Sequence, residues 1–172
     1  MEKKDQIKDC CFMEDNRWFR YRAGAIIVED GKVLFVTSKS FDYYYTVGGG
    51  VHMGEKAEEC VLREVYEETG IPYEIFRLAA VCENFFKGKG GKLEGLDCHC
   101  LEFYFLMKSR GNMKLKSDSY NWDDEKEEMA WLPIDKLQEY NIKPAFLKDR
   151  IQEIVEGRGV LHIVNDERNQ GL

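Results

Sequence analysis

Glu64, Glu67 and Glu68 are the residues of this chain whose type and spacing point most directly to chemistry. The stretch around them reads as a helix from Ala57 to Thr69, because Leu62, Val65, Tyr66 and Thr69 form one apolar stripe. Gly70 then stands where a left-handed residue ends a helix, and Pro72 blocks continuation. At about 100° of rotation per residue the three carboxylates fall within roughly one 100° arc. Spacings of three and four residues bring like charges together, and Glu67 and Glu68 also lie in the last turn, where the helix dipole is already negative. Each effect costs from a few tenths of a kcal/mol to about 1 kcal/mol. A solvated acidic face is the plain alternative for any three helical glutamates. Here Ala57, Cys60 and Val61 lie on the same side, which implies a partly covered face, and clustered, partly buried carboxylates need a cation. A hard ion with oxygen ligands, Mg²⁺ or Mn²⁺, meets that need.

Just upstream, Gly48, Gly49, Gly50 and Gly54 make a turn whose backbone can approach a ligand closely, and a carbonyl there, Gly49's in particular, could join a metal shell. Carboxylates and a metal beside a glycine loop suit phosphate chemistry. These residues resemble a known family. Gly49, Glu55, Arg63-Glu64-Val65, Glu67-Glu68 and Gly70-Ile71 reproduce the Nudix box at every specified position and spacing. The resemblance implies an α+β fold, an α/β/α sandwich with a mixed central sheet, and metal-dependent hydrolysis of a pyrophosphate linkage in a nucleoside diphosphate derivative or nucleoside triphosphate. It also implies that Glu64, Glu67 and Glu68 are metal ligands, with Glu64 a base candidate, and that Glu55 and Arg63 orient them. Val47 and His52 depart from residues common in the family at variable positions. Lys56 stands where a Ser or Thr cap is expected, although Glu59 supplies the capping-box acid three residues later.

The family often takes a further acidic residue from the segment before its Trp-Leu-Pro strand, here Trp131-Leu132-Pro133. The acidic run before that strand makes Glu125 the first choice for a catalytic carboxylate, with Glu128 and Asp124 behind it. Two other functions compete with hydrolysis: a catalytically silent nucleotide-sensing module, disfavoured because all three box carboxylates are present, and an allylic diphosphate isomerase, disfavoured by the complete box.

A length of 172 residues with 44% hydrophobic content suits one domain, expected over residues 17–164 between a flexible arm, 1–16, and a polar tail, 165–172. The formal net charge of −7 argues against an extended nucleic-acid footprint but permits a small nucleotide-type substrate in a cleft of reversed potential. No apolar stretch has the length of a signal or membrane-spanning segment, so the expected site is the cytoplasm, without membrane contact, as a monomer or a homodimer. Six cysteines then read as thiols. Cys98-His99-Cys100 lacks zinc-site spacing, and strand alternation sends His99 away from the two cysteines.

The elements that position the glutamates follow from periodicity. Two strand-like runs from Arg17 flank the turn Glu29-Asp30-Gly31-Lys32, and 73–86, 96–107 and 128–132 read as further strands. Residues 134–140 and 144–157 read as helices and 160–164 as a short strand. Arg20 and Arg22 share a strand face before the apolar run and are candidates for a substrate phosphate, whose oxygens match a guanidinium fork. Tyr45, from the aromatic run before the glycines, is a candidate for stacking on a base or sugar.

Overall fold

The computed structural model describes residues 8–116 and 126–169. Two sheets form among them. The larger is mixed: β1 (Cys11–Glu14), β2 (Arg17–Ile26), β7 (Asp97–Met107), β6 (Ile75–Lys87) and β9 (Leu161–Asp166) lie side by side in that order, and β5 (Gly48–Gly50) adds to β2. β2 runs parallel to β7 and β6 parallel to β9, while β6 and β7 are antiparallel. The smaller sheet joins β3 (Val28–Glu29), β4 (Lys32–Ser38) and β8 (Glu127–Pro133), all antiparallel.

Strand alternation divides the core in two. Ile26, Val33, Phe35, Tyr104 and Leu132 pack on helix α2 (Phe146–Glu156) through Phe146, Leu147, Ile151 and Ile154. Their neighbours in sequence, Ala25, Leu34, Val36 and Phe105, pack on helix α1 (Ala57–Thr69) through Cys60, Val61 and Val65. The molecule is therefore an α+β sandwich with a helix on each face of the sheets. No described helix is long and apolar enough to cross a membrane.

α1 has the bounds its periodicity predicts. Gly70 closes it in the left-handed region at φ 68°, with its N–H donating to the Tyr66 carbonyl at 2.8 Å. Lys116 donates its backbone N–H to Thr69 at 2.7 Å, so the segment after β7 caps the helix end. At the other end Glu59 accepts from the Lys56 N–H at 3.0 Å. Asp30 and Gly31, at φ 48° and 70°, make the predicted two-residue hairpin turn between β3 and β4.

Within the expected arm, residues 11–14 are not irregular, since Cys11–Glu14 pairs with β2 through the turn Asp15-Asn16. Asp15 takes φ 55°, which an Asp side chain tolerates, and Asp-Asn serves here as Asp30-Gly31 does in the next hairpin. At the other end β9 runs to Asp166, and Glu167 pairs with Lys143 at 2.5 Å, so the polar tail begins later than 165. The helix expected at 134–140 is a 3₁₀ run, Ile134–Glu139.

Candidate active site

The three-glycine strand β5 lies between β2 and the carboxylates of α1. Its lack of side chains is a spatial requirement: a Cβ on Gly49 would stand 2.3 Å from Glu64 Oε1, and one on Gly48 would stand 2.2 Å from the Ala23 carbonyl. Gly49's carbonyl oxygen lies 3.7 Å from the thiol of buried Cys60, which also donates to Gly50 at 3.4 Å.

Arg63 organises the acidic face. Its Nε and Nη2 donate to the two oxygens of Glu55 at 2.9 and 3.0 Å, its Nη1 to Glu64 at 2.5 Å and, more weakly, to Glu67 at 3.4 Å. Nη2 also reaches the Gly50 carbonyl at 3.2 Å, tying the helix to the glycine strand. Glu55 further accepts the His52 N–H at 2.9 Å. The hydrogen bonds from Arg63 hold the Glu55 carboxyl at about 2 against a smaller upward push from burial. Thus much of the like-charge repulsion expected on α1 is answered within the chain by one guanidinium.

Glu68 is not answered in this way. It is 7% exposed. Its Oε1 accepts the Gly48 N–H at 3.0 Å, whereas its buried Oε2 has no hydrogen-bond partner. Burial first, then the nearby negative charge of Glu127, push its carboxyl well above the usual carboxylate range. Burial also raises Glu64, against the pull of Arg63. Glu67 is the open member, with its side chain 57% exposed.

Glu127 is the residue that sequence reasoning missed. It is the first residue of β8, and Tyr45 donates its hydroxyl to Glu127 Oε1 at 2.8 Å. Glu125 and Asp124, placed ahead of it by the sequence, lie outside the described residues, and Glu128 is exposed at the end of the opposite face of β8, the one whose Ala130 and Leu132 pack toward α2. Parity was the available signal: Met129 and Trp131 pack against the α1 core, and Glu127 shares their alternation.

Of the substrate-binding candidates, Arg22 is committed to the backbone that carries the glycines. It donates to the Thr46 carbonyl at 2.6 Å, the Thr46 hydroxyl at 3.1 Å and the Gly48 carbonyl at 3.3 Å. Arg20 faces Asp9 at 3.7 Å near Gly50. Tyr45 has its hydroxyl on Glu127 and its ring edge-on to Phe41 at 6.2 Å. Cys98 and Cys100 are buried against Trp18, while His99 stacks on Phe85 at 4.3 Å from the opposite face, which rules out joint ligation.

Among the described residues no three acidic, histidine or cysteine side chains stand together closely enough, as placed, to hold an ion. Glu64 and Glu67 are turned toward Arg63, and Glu68 toward Gly48. The fit to a hard divalent cation lies instead in the donor set, all oxygen, and in the buried Glu68 Oε2 without a partner.

The family model of the NUDIX domain matches residues 18–152, and the chain belongs to that family. A MutT-like protein of Streptomyces ambofaciens is 28% identical over 117 residues, which are 68% of this chain and 65% of that protein. An RNA pyrophosphohydrolase of Pseudoalteromonas atlantica is 32% identical over 78 residues, 45% of each chain. The match thus spans about half to two thirds of the length of these curated relatives. A mutator MutT protein of Bacillus halodurans has the same fold, with a TM-score of 0.59 at 19% identity over 83% of this chain and 86% of its own. Proteins of this family generally use divalent metal ions.

Proposed function

We propose that this chain is a divalent-metal-dependent hydrolase that cleaves a pyrophosphate linkage in a small nucleotide-type substrate, a nucleoside diphosphate derivative or a nucleoside triphosphate. One observation carries the reading: Glu68 Oε2 is buried without a hydrogen-bond partner in a site where Glu64 and Glu127 add negative charge. That arrangement is costly unless a cation is taken up. Glu64, Glu67 and Glu68, with the Gly49 carbonyl, would hold Mg²⁺ or Mn²⁺, which supplies charge stabilisation to a phosphoryl group. Glu55 and Arg63 orient: the bidentate pair fixes the guanidinium, which in turn sets the direction of the Glu64 carboxylate.

A base must take a proton from the attacking water. Glu64 and Glu127 both qualify by position, and the Tyr45 hydroxyl orients Glu127 by donating to its Oε1. Glu125 remains a candidate on sequence grounds alone. The name of the RNA pyrophosphohydrolase relative and the phosphate-suited glycine loop both support a phosphoric anhydride as the bond cleaved. A net charge of −7 favours a compact nucleotide over a long nucleic-acid partner. All six cysteines are free thiols, which supports a cytoplasmic setting. The test is a screen of nucleoside di- and triphosphates, nucleotide sugars, dinucleoside polyphosphates and coenzyme A, with Mg²⁺ and with Mn²⁺. Cleavage at a phosphoric anhydride bond, dependent on the ion, is the expected result; no cleavage of any compound, or cleavage undiminished by chelation, would refute the proposal.

A further inference from the structure

Residues 8–10 run alongside the loop that enters α1. Met53 donates its N–H to the Lys8 carbonyl at 2.8 Å, Cys10 to Val51 at 2.7 Å, and Tyr21 to Cys10 at 3.0 Å, so that Asp9 and His52 face each other in an antiparallel bridge. This lays the Asp9 carboxylate on the glycine strand. A Cβ on Gly50 would stand 2.2 Å from Asp9 Oδ2 and 3.1 Å from Arg20 Nη2, whereas a Cβ on Gly49 would meet Glu64. Successive strand residues point to opposite faces. The bare strand therefore has the α1 carboxylates on one side and an Asp9, Arg20 and His52 cluster on the other.

The contacts within that cluster have the character of an occupied but releasable seat. Asp9 Oδ2 is 3.7 Å from Arg20 Nη2, Asp9 Oδ1 is 3.5 Å from His52 Nε2, and the other ring nitrogen of His52 is 3.7 Å from Glu55 Oε2. These are ion-pair separations longer than a good hydrogen bond, and the Asp9 side chain is 30% exposed. Arg20 and Arg22 are alternate residues of one strand and repel each other. Arg22 is held by Thr46 and Gly48 and attracted by Glu102, while Asp9 supplies an opposite charge to Arg20. An incoming phosphate offers a guanidinium more charge and more oxygens than one carboxylate does.

We propose that Arg20 and His52 form a seat for a substrate phosphate at Gly50, and that Asp9 fills this seat in the resting protein as an internal competitor displaced when substrate binds. The inference rests on reading the α1 carboxylates across the glycine strand as the hydrolytic centre. It assigns residues 8–10 a part in the site, as a restraint on anion entry.

The probe is inorganic pyrophosphate, titrated calorimetrically with all divalent ions chelated. Asp9→Asn removes the competitor's charge at nearly constant shape, and pyrophosphate should bind about tenfold more tightly than to the parent. The gain should vanish when Arg20→Gln is added, and Asp9→Ser should reproduce it if the asparagine variant fails to fold. In the unmutated protein, the Asp9 carboxyl carbon resonance should move during the titration with the same midpoint as binding. Equal or weaker binding by the Asp9 variants, no binding by any of them, or an Asp9 resonance that stays fixed while pyrophosphate binds would overturn the proposal and leave Asp9 as a brace for Arg20. Failure of the hydrolase reading would look different: no compound of the metal-loaded screen would be cleaved, while metal-free pyrophosphate binding still responded to Asp9.

Discussion

Replacing Glu68 by Gln should make the metal-free protein more stable. The amide keeps an oxygen able to accept the Gly48 N–H, now 3.0 Å from Oε1, and removes the charge from a side chain that is 7% exposed. The other carboxylate oxygen is buried without a partner, and Glu127 and Glu64 lie near enough to oppose ionisation. A buried polar group left unsatisfied costs about 1–3 kcal/mol, and a charge more. Taking about 2 kcal/mol, and about 2–4 °C per kcal/mol for a domain of this size, the melting temperature should rise by about 4–8 °C. The pH dependence fixes the sign independently. A carboxyl whose folded pKa lies above its unfolded value binds more protons in the native state, so the parent loses stability as pH rises above the ordinary glutamate range. The advantage of Glu68→Gln should therefore be small near pH 4 and grow toward neutrality, and saturating Mg²⁺ should reduce or reverse it by stabilising the parent alone. Thermal melts in EDTA between pH 4 and pH 8 provide the assay. A variant that melts below the parent throughout would show that the second oxygen makes a stabilising bond, and the argument for a cation would lose its basis.

Glu55 should behave in the opposite sense. Its folded carboxyl lies at about 2, below the ordinary value of 4.5, so the stability it confers is present above 4.5 and is lost as pH falls toward 2. Glu55→Gln should cost roughly 1–2 kcal/mol at pH 7 after allowance for solvent screening, and nothing at pH 2, as read by denaturant unfolding at the two pH values. At Glu127, substitution by Gln should lower kcat by roughly 10²- to 10⁴-fold with little change in KM if this carboxylate is the base. Tyr45→Phe, which removes only the hydroxyl held at 2.8 Å, should lower kcat by less; near-parental turnover in Glu127→Gln would return the role to Glu64.

Local signals made the site's scaffold legible. The helix from Ala57 to Thr69 was readable because its stripe, its glycine stop and the proline beyond it all agree, and the turn at Asp30-Gly31 because its chemistry is specific. What escaped were contacts between segments distant in sequence. Arg63 joins five residues, Gly50, Glu55, Cys60, Glu64 and Glu67, from three places, and only folding brings Glu55 and Gly50 to it. Glu127 reaches Tyr45 across 82 positions, and choosing it over its acidic neighbours required knowing which face of β8 meets α1. Asp9 was hidden in a polar segment whose pairing with Val51 and Met53 is by backbone, which side-chain patterns do not report.

The proposed hydrolysis depends on the α1 carboxylates holding a divalent cation. Calorimetric titration of Mn²⁺ into the parent, Glu64→Gln and Glu68→Gln, without nucleotide, tests it most directly. The parent should bind saturably, and each variant should bind at least about tenfold more weakly while remaining folded. Unchanged affinity in both variants, or no saturable binding by the parent, would contradict the claim.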